Sequence, residues 1–215
     1  MNGESLIQLL EQGGVVMYPL LLCSVVTVAI IIERSWTIAK GARTARNLHQ
    51  LVEESLREQN IADAAAICRR DSSPLGPVFR AVVTAPTPEE RMRLAQRKLS
   101  EAGRQLKRFI WLLGTVGSLA PFIGLFGTVV GIIRAFENMA ATGSGGFAVV
   151  AAGISEALVA TAGGLLVGVL SIFAYNAFMV RVNGLTSELR EQTEDLLAWL
   201  SAPREGALPR VVQSR

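Results

Sequence analysis

Three residues in the second half of the chain are of types that could move protons: Thr128, Thr161 and Glu156. Thr128 and Thr161 each stand inside a long apolar stretch. A hydroxyl both donates and accepts hydrogen bonds, so it could hold water or pass a proton in an otherwise dry channel. The competing reading is that each hydroxyl bonds back to its own helix, which Ser and Thr do easily in apolar surroundings. The residues alone favour that second reading. Glu156 is a carboxyl group within an apolar segment, where it is expensive and therefore a functional candidate. At 100° per residue it lies about 140° around a helix from Thr161, on the face of Ala152, Ala160 and Gly163. Two roles stay open for it: a proton-access site near the outer mouth, or a buried hydrogen bond joining helices or subunits.

The elements that must position these residues are the segments Phe109–Phe136 and Phe147–Val180. Each exceeds the roughly 20 apolar residues that span a bilayer, and a lone span must be helical to satisfy its backbone. Gly114, Gly117, Pro121, Gly124, Thr128 and Gly131 recur at spacings of three and four, which puts small residues along one helix face. Gly127 and Gly131 form a GxxxG pair, and Gly163, Gly164 and Gly168 supply small positions on the second segment. All nine positions, Pro121 included, are expected to serve close packing of pore helices. Such a stripe would face lipid unless copies of the chain associate, so association is expected.

The motifs LGTVGSLAPFIGLFGTVVGIIRAF and GISEALVATAGGLLVGVLSIFAYN, joined by a short Gly-rich hairpin, resemble the MotA/TolQ/ExbB proton channel family, nearest its ExbB and TolQ branch. The specific likeness covers roughly the second half of the chain. One departure is Leu170, where many relatives have a proline, so no kink is carried over for the last span. The resemblance implies that Thr128 and Thr161 line a pore. It implies a homo-pentamer whose second and third spans surround a channel, with an ExbD/TolR-like single-span partner bearing an intramembrane aspartate. A TonB/TolA-like protein could receive the resulting force. The implied function is a proton-channel, stator-like subunit of an inner-membrane motor driven by the proton motive force. The alternative is a passive membrane scaffold without ion conduction.

Charge patterning orders the rest. Of the 21 Lys and Arg, fifteen fall between Glu33 and Arg108 and five beyond Val180, whereas residues 1–14 and the hairpin have none. The positive-inside rule places the N-terminus and hairpin outside and the long loop and tail in the cytoplasm. The expected organisation is an external segment at 1–14, transmembrane helix 1 at 15–36 and a cytoplasmic helical region at 37–108. Transmembrane helix 2 at 109–136, an external hairpin at 137–146, transmembrane helix 3 at 147–180 and a cytoplasmic extension and tail at 181–215 complete it. The fold class is thus an all-α integral membrane protein, and the resemblance implies a bacterial inner membrane. Half the residues are hydrophobic, in agreement.

Within the loop, Leu48, Leu51, Val52 and Leu56 mark an amphipathic helix. Asn60 and Thr87 read as helix starts, and Asp71–Pro77 as a break. The heptad-spaced Met92, Ala95, Leu99, Ala102, Leu106 and Phe109 predict one unbroken helix from Pro88 to Phe136, roughly 70 Å long. Cys23 is expected within the first span and Cys68 in the cytoplasm, so they are not bonded, and His49 reads as a surface or packing residue. No P-loop, dinucleotide fingerprint, metal cluster or catalytic triad is present in the sequence, so no enzyme activity, cofactor or metal is expected. The basic loop lacks interleaved aromatics, and no nucleic acid partner is expected; membrane lipid is.

Overall fold

Asn60 illustrates how local sequence sets the helix boundaries. In a computed structural model, which describes residues 14–71, 76–142 and 146–201, its side chain accepts a 3.0 Å hydrogen bond from the Asp63 backbone and starts a helix at Ile61. Asn60 also ends the preceding helix. Its own N–H reaches the Ser55 carbonyl (2.9 Å) while Gln59, at φ 59°, donates to Leu56 (3.0 Å). That pair of bonds is a Schellman closure, here with glutamine where glycine is usual.

The described residues form six helices in order: α1 Met17–Arg57, α2 Ile61–Arg70, α3 Gly76–Thr84, α4 Pro88–Leu106, α5 Ile110–Thr142 and α6 Gly146–Ser201. The chain is all-α, and three stretches, within α1, α5 and α6, are long and apolar enough to cross a membrane. The described residues divide into two units: 14–38 with 107–182, and 39–106 with 183–201.

In the first unit, large side chains such as Leu22, Val25, Phe122, Phe126, Leu166 and Val169 remain exposed on the protomer. Water would penalise that surface heavily; lipid or a neighbouring copy would not. Where α1 meets the other two spans, Leu20 packs with Val116 and Ala120. Deeper, the buried hydroxyls of Thr27 and Ser171 share a 2.8 Å hydrogen bond that ties α1 to α6. Arg34, buried near the end of the apolar stretch of α1, is paired with Glu33.

The second unit has an aliphatic core of Leu48, Val52 and Leu56 from α1, Ala64, Ala65 and Cys68 from α2, and Phe79, Val82 and Val83 from α3. Ala95 of α4 and Leu196 and Leu197 of α6 complete it. On the surface of this unit Arg46 and Glu188 pair at 2.9 Å. His49 lies beside the Phe79 ring, centroids 6.0 Å apart, in the packing role expected. Thr87 accepts the Glu90 N–H at 3.2 Å and opens α4, with Pro88 at its first position.

Three boundaries differ from the sequence expectation. First, α1 runs unbroken to Arg57, so Leu48–Leu56 is not a separate helix but the continuation of the first span. Nothing between Glu33 and Leu48 stops a helix, since Gly41 alone is tolerated. Second, the helix predicted from Pro88 to Phe136 is interrupted at 107–109: α4 ends at Leu106, and Phe109 takes a left-handed φ of 63°. The heptad rule ran through this joint because it contains neither Gly nor Pro. The Arg108 guanidinium covers the Phe109 ring at 4.5 Å and the Ile110 N–H turns back to the Lys107 carbonyl (3.2 Å). Third, α5 continues to Thr142, which shortens the expected hairpin at 137–146 from its first half. Most of the segment at 1–14 expected to be external, residues 72–75 of the expected break Asp71–Pro77 and the tail from 202 lie outside the described residues.

Candidate functional site

The small-residue stripe of α5 faces α6 of the same chain. A β-carbon placed on Gly124 would stand 2.9 Å from the Ala160 carbonyl oxygen, 3.0 Å from the Thr161 Cα and 3.2 Å from the Gly164 Cα. One on Gly164 would meet the Ala120 carbonyl at 2.6 Å. The two backbones are therefore in direct contact, an approach only glycine permits. The same contact extends in both directions. A β-carbon on Gly114 would stand 3.3 Å from the Tyr175 ring and one on Gly117 would run into Ile172; on Gly168 it would meet Pro121 at 2.8 Å, on Gly127 Ala160 at 2.9 Å and on Gly131 Ala157 at 2.5 Å. The expectation that this stripe would face lipid unless copies associate is thus corrected: the chain's own third span covers it. Gly163 stands apart, with nothing within 4 Å. Among the candidate packing glycines it alone points away from α5.

Thr161 sits at the centre of this contact. Its hydroxyl donates across to the Gly124 carbonyl at 2.8 Å, so it does not bond back to its own helix. Thr128, one turn beyond Gly124, does bond back: its hydroxyl donates to the Leu125 carbonyl at 2.6 Å. Ser118 and Thr115 likewise donate to Gly114 (3.0 Å) and Trp111 (3.2 Å) of α5 itself. Gly124 therefore lies one turn from Thr128 on its own helix and in contact with Thr161 on the other.

Glu156 is elsewhere. It lines a cleft of about 620 Å³ between the start of α1, the later part of α5 and the early part of α6. Val16, Gly131, Asn138 and Gly153 form its walls, and Arg134 reaches into it. The Glu156 side chain is exposed there and makes no hydrogen bond to another described residue, so the buried interhelical bond weighed for it is not formed within the protomer. Sequence reasoning did not connect Arg134 with Glu156, and it missed the Thr27–Ser171 bond altogether. The first pairing needed the crossing of two helices. The second joins residues 144 positions apart with no shared motif.

Comparison with known proteins bears on the same segment. A profile of the MotA/TolQ/ExbB proton channel family matches residues 70–191. An ExbB-like biopolymer transport protein of Synechocystis sp. is 35% identical over 206 residues, which is 90% of this chain and 75% of that one. The biopolymer transport protein ExbB of Pseudomonas putida is 39% identical over 49% of this chain. The Tol-Pal system protein TolQ of Pseudomonas aeruginosa is 43% identical over 42% of it. The matched parts are only 32% and 38% of those two Pseudomonas proteins. Thr128, Glu156, Thr161 and the whole glycine contact fall inside the matched region. The chain belongs to the MotA/TolQ/ExbB proton channel family, on its ExbB/TolQ side.

Proposed function

We propose that this chain is the channel subunit of an inner-membrane motor that uses the proton motive force. The observation that carries the reading is the meeting of Thr161 with Gly124, one turn from Thr128, in the region matched by the family profile. The Thr161 hydroxyl on the Gly124 carbonyl, with the Thr128 hydroxyl one turn along the same helix, forms a short polar step on which water or a proton can be held. Several such steps around an axis make a polar ring, and for that reason the working unit is a homo-oligomer, by family resemblance a pentamer. The N-terminus and the α5–α6 connection are external, and the basic loop and tail are cytoplasmic, following the asymmetry of Lys and Arg.

An ExbD/TolR-like partner supplies the missing half of the path, a single span with an intramembrane aspartate. Protons enter by the cleft of Glu156, pass the threonine level and neutralise that aspartate, which lets the partner turn inside the ring. The work then done at the outer membrane, import, envelope maintenance or motility, is passed on through the partner or a TonB/TolA-like protein.

Proton flux in vesicles holding the chain and its single-span partner tests the reading. Thr161→Val and Thr128→Val should each cut flux at least tenfold, and Thr161→Ser should retain most of it. The double valine variant should be little worse than either single one, since both act on one path. Wild-type flux from valine variants that assemble normally would overturn the proton path. Absence of flux in the wild type would favour the scaffold reading, with which Thr128 bonded into its own helix also agrees.

A further inference from the structure

The cleft beside α1 holds two opposite charges that do not touch. Arg134 Nη1 and Glu156 Oε1 lie 3.9 and 3.8 Å from the point where a β-carbon on Gly14 would stand. Their tips are thus separated by no more than twice that distance, yet they form no ion pair with each other among the described residues. Gly14 itself has a φ of 64°, and a side chain there would project into the space between the two charges. Glycine at this position keeps the cleft open.

The surrounding elements bring little other charge. Residues 14–32 of the first span have none, and residues 146–180 have only Glu156. On α5, Arg134 is accompanied only by Glu137, which does not line the cleft. Arg134 is therefore the one fixed cation in these stretches, and it faces the one acid of the third span.

We propose that Arg134 sets the ion selectivity of this mouth by excluding metal cations from Glu156. The inference rests on the proton-path reading and adds what that path admits. With Arg134 in place the cleft carries a balanced pair; without it, a lone carboxylate would attract sodium. A proton reaches the carboxylate by exchange along water and need not enter as a hydrated ion beside the guanidinium. At about 8 Å and an effective dielectric of about 20, a fixed positive charge disfavours a monovalent cation by roughly thirtyfold.

The test uses the full chain with its single-span partner in vesicles, reading proton flux with an internal pH dye and sodium uptake with a tracer. Arg134→Gln should raise the sodium-to-proton ratio at least tenfold, while Arg134→Lys should keep it near the wild-type value. Asn138→Asp, which sets an acid one turn from Arg134 on the same wall, should raise the ratio without altering the arginine, so a folding failure of Arg134→Gln leaves a second arm. An unchanged ratio in whichever of Arg134→Gln and Asn138→Asp assembles overturns the inference and leaves the channel reading intact.

Absence of proton flux in the wild type would instead sink the channel reading. The electrostatics are then decided by Glu156→Cys, labelled with cationic and anionic thiol reagents and read at that position by mass spectrometry. Added to it, Arg134→Gln should raise the cationic-to-anionic rate ratio at least tenfold. An unchanged ratio would show that Arg134 does not govern this cleft.

Discussion

Gly124→Ala is the sharpest test of the α5–α6 contact. The added methyl would sit 2.9 Å from a carbonyl oxygen and 3.0 and 3.2 Å from two α-carbons, all of them backbone of α6. Ordinary contacts of that kind lie at about 3.5–4.0 Å, so the helices must part by roughly 0.5–1 Å, because no side chain is available to swing away. Overpacking of this sort costs about 1–3 kcal/mol. Separation also weakens the Thr161–Gly124 hydrogen bond, and interhelical bonds in membranes average about 0.6 kcal/mol. Against this, alanine gains about 1 kcal/mol over glycine in helix propensity. The net expectation is a loss of about 1–2 kcal/mol, or a melting temperature lowered by roughly 3–6 °C for a chain of this size. Gly163→Ala is the matched control: with nothing within 4 Å it keeps the propensity gain and meets no clash. Thermal unfolding of the purified protein in detergent compares the two. Gly164→Ala faces Gly124 directly, so the double variant with Gly124→Ala should lose less than the two singles added. If Gly124→Ala melts at or above Gly163→Ala, the backbone contact described here is wrong.

Two further expectations concern the second unit. Burial in its core pushes the Cys68 thiol up to about 11, from an ordinary value of 9.0. The neutral form is therefore favoured by folding, and the associated stability is complete below pH 9 and lost as pH rises towards 11. Native Cys68 should resist maleimide at pH 8 until denaturant is added; rapid native labelling would contradict its burial. Gln59→Gly should stabilise the unit by about 0.5–1 kcal/mol, because glycine takes the left-handed Schellman position without strain, and a lower denaturation midpoint would argue against that closure.

Much of this architecture was legible in the residues, for identifiable reasons. Long apolar runs can only be spans, and the side chains of Asn60 and Thr87 carry their caps with them. The glycine spacing from Gly114 to Gly131 announced a close approach but not its partner. A stripe of small residues reads the same whether another copy or the next helix covers it. Phe109 was opaque for a different reason. Its backbone conformation opposes its own preference and is set by the turn from Lys107 to Ile110, which no local pattern records. Likewise, the wheel position of Glu156 placed it away from Thr161, but only the helix crossing brought it to Arg134.

The contact between Gly124 and Gly164 has one more consequence. Glycine has no rotamers, so forming this contact restricts no side chain, and in lipid, where burial gives little drive, that saving helps the pair to associate. The same absence leaves the interface nothing with which to adjust. Two side-chain-bearing faces can slide by exchanging rotamers, whereas two backbones held carbonyl to α-carbon can only stay or separate. From Gly117 to Gly131, α5 and α6 therefore act as one stiff double wall, and the moving part of any transport cycle must lie outside it.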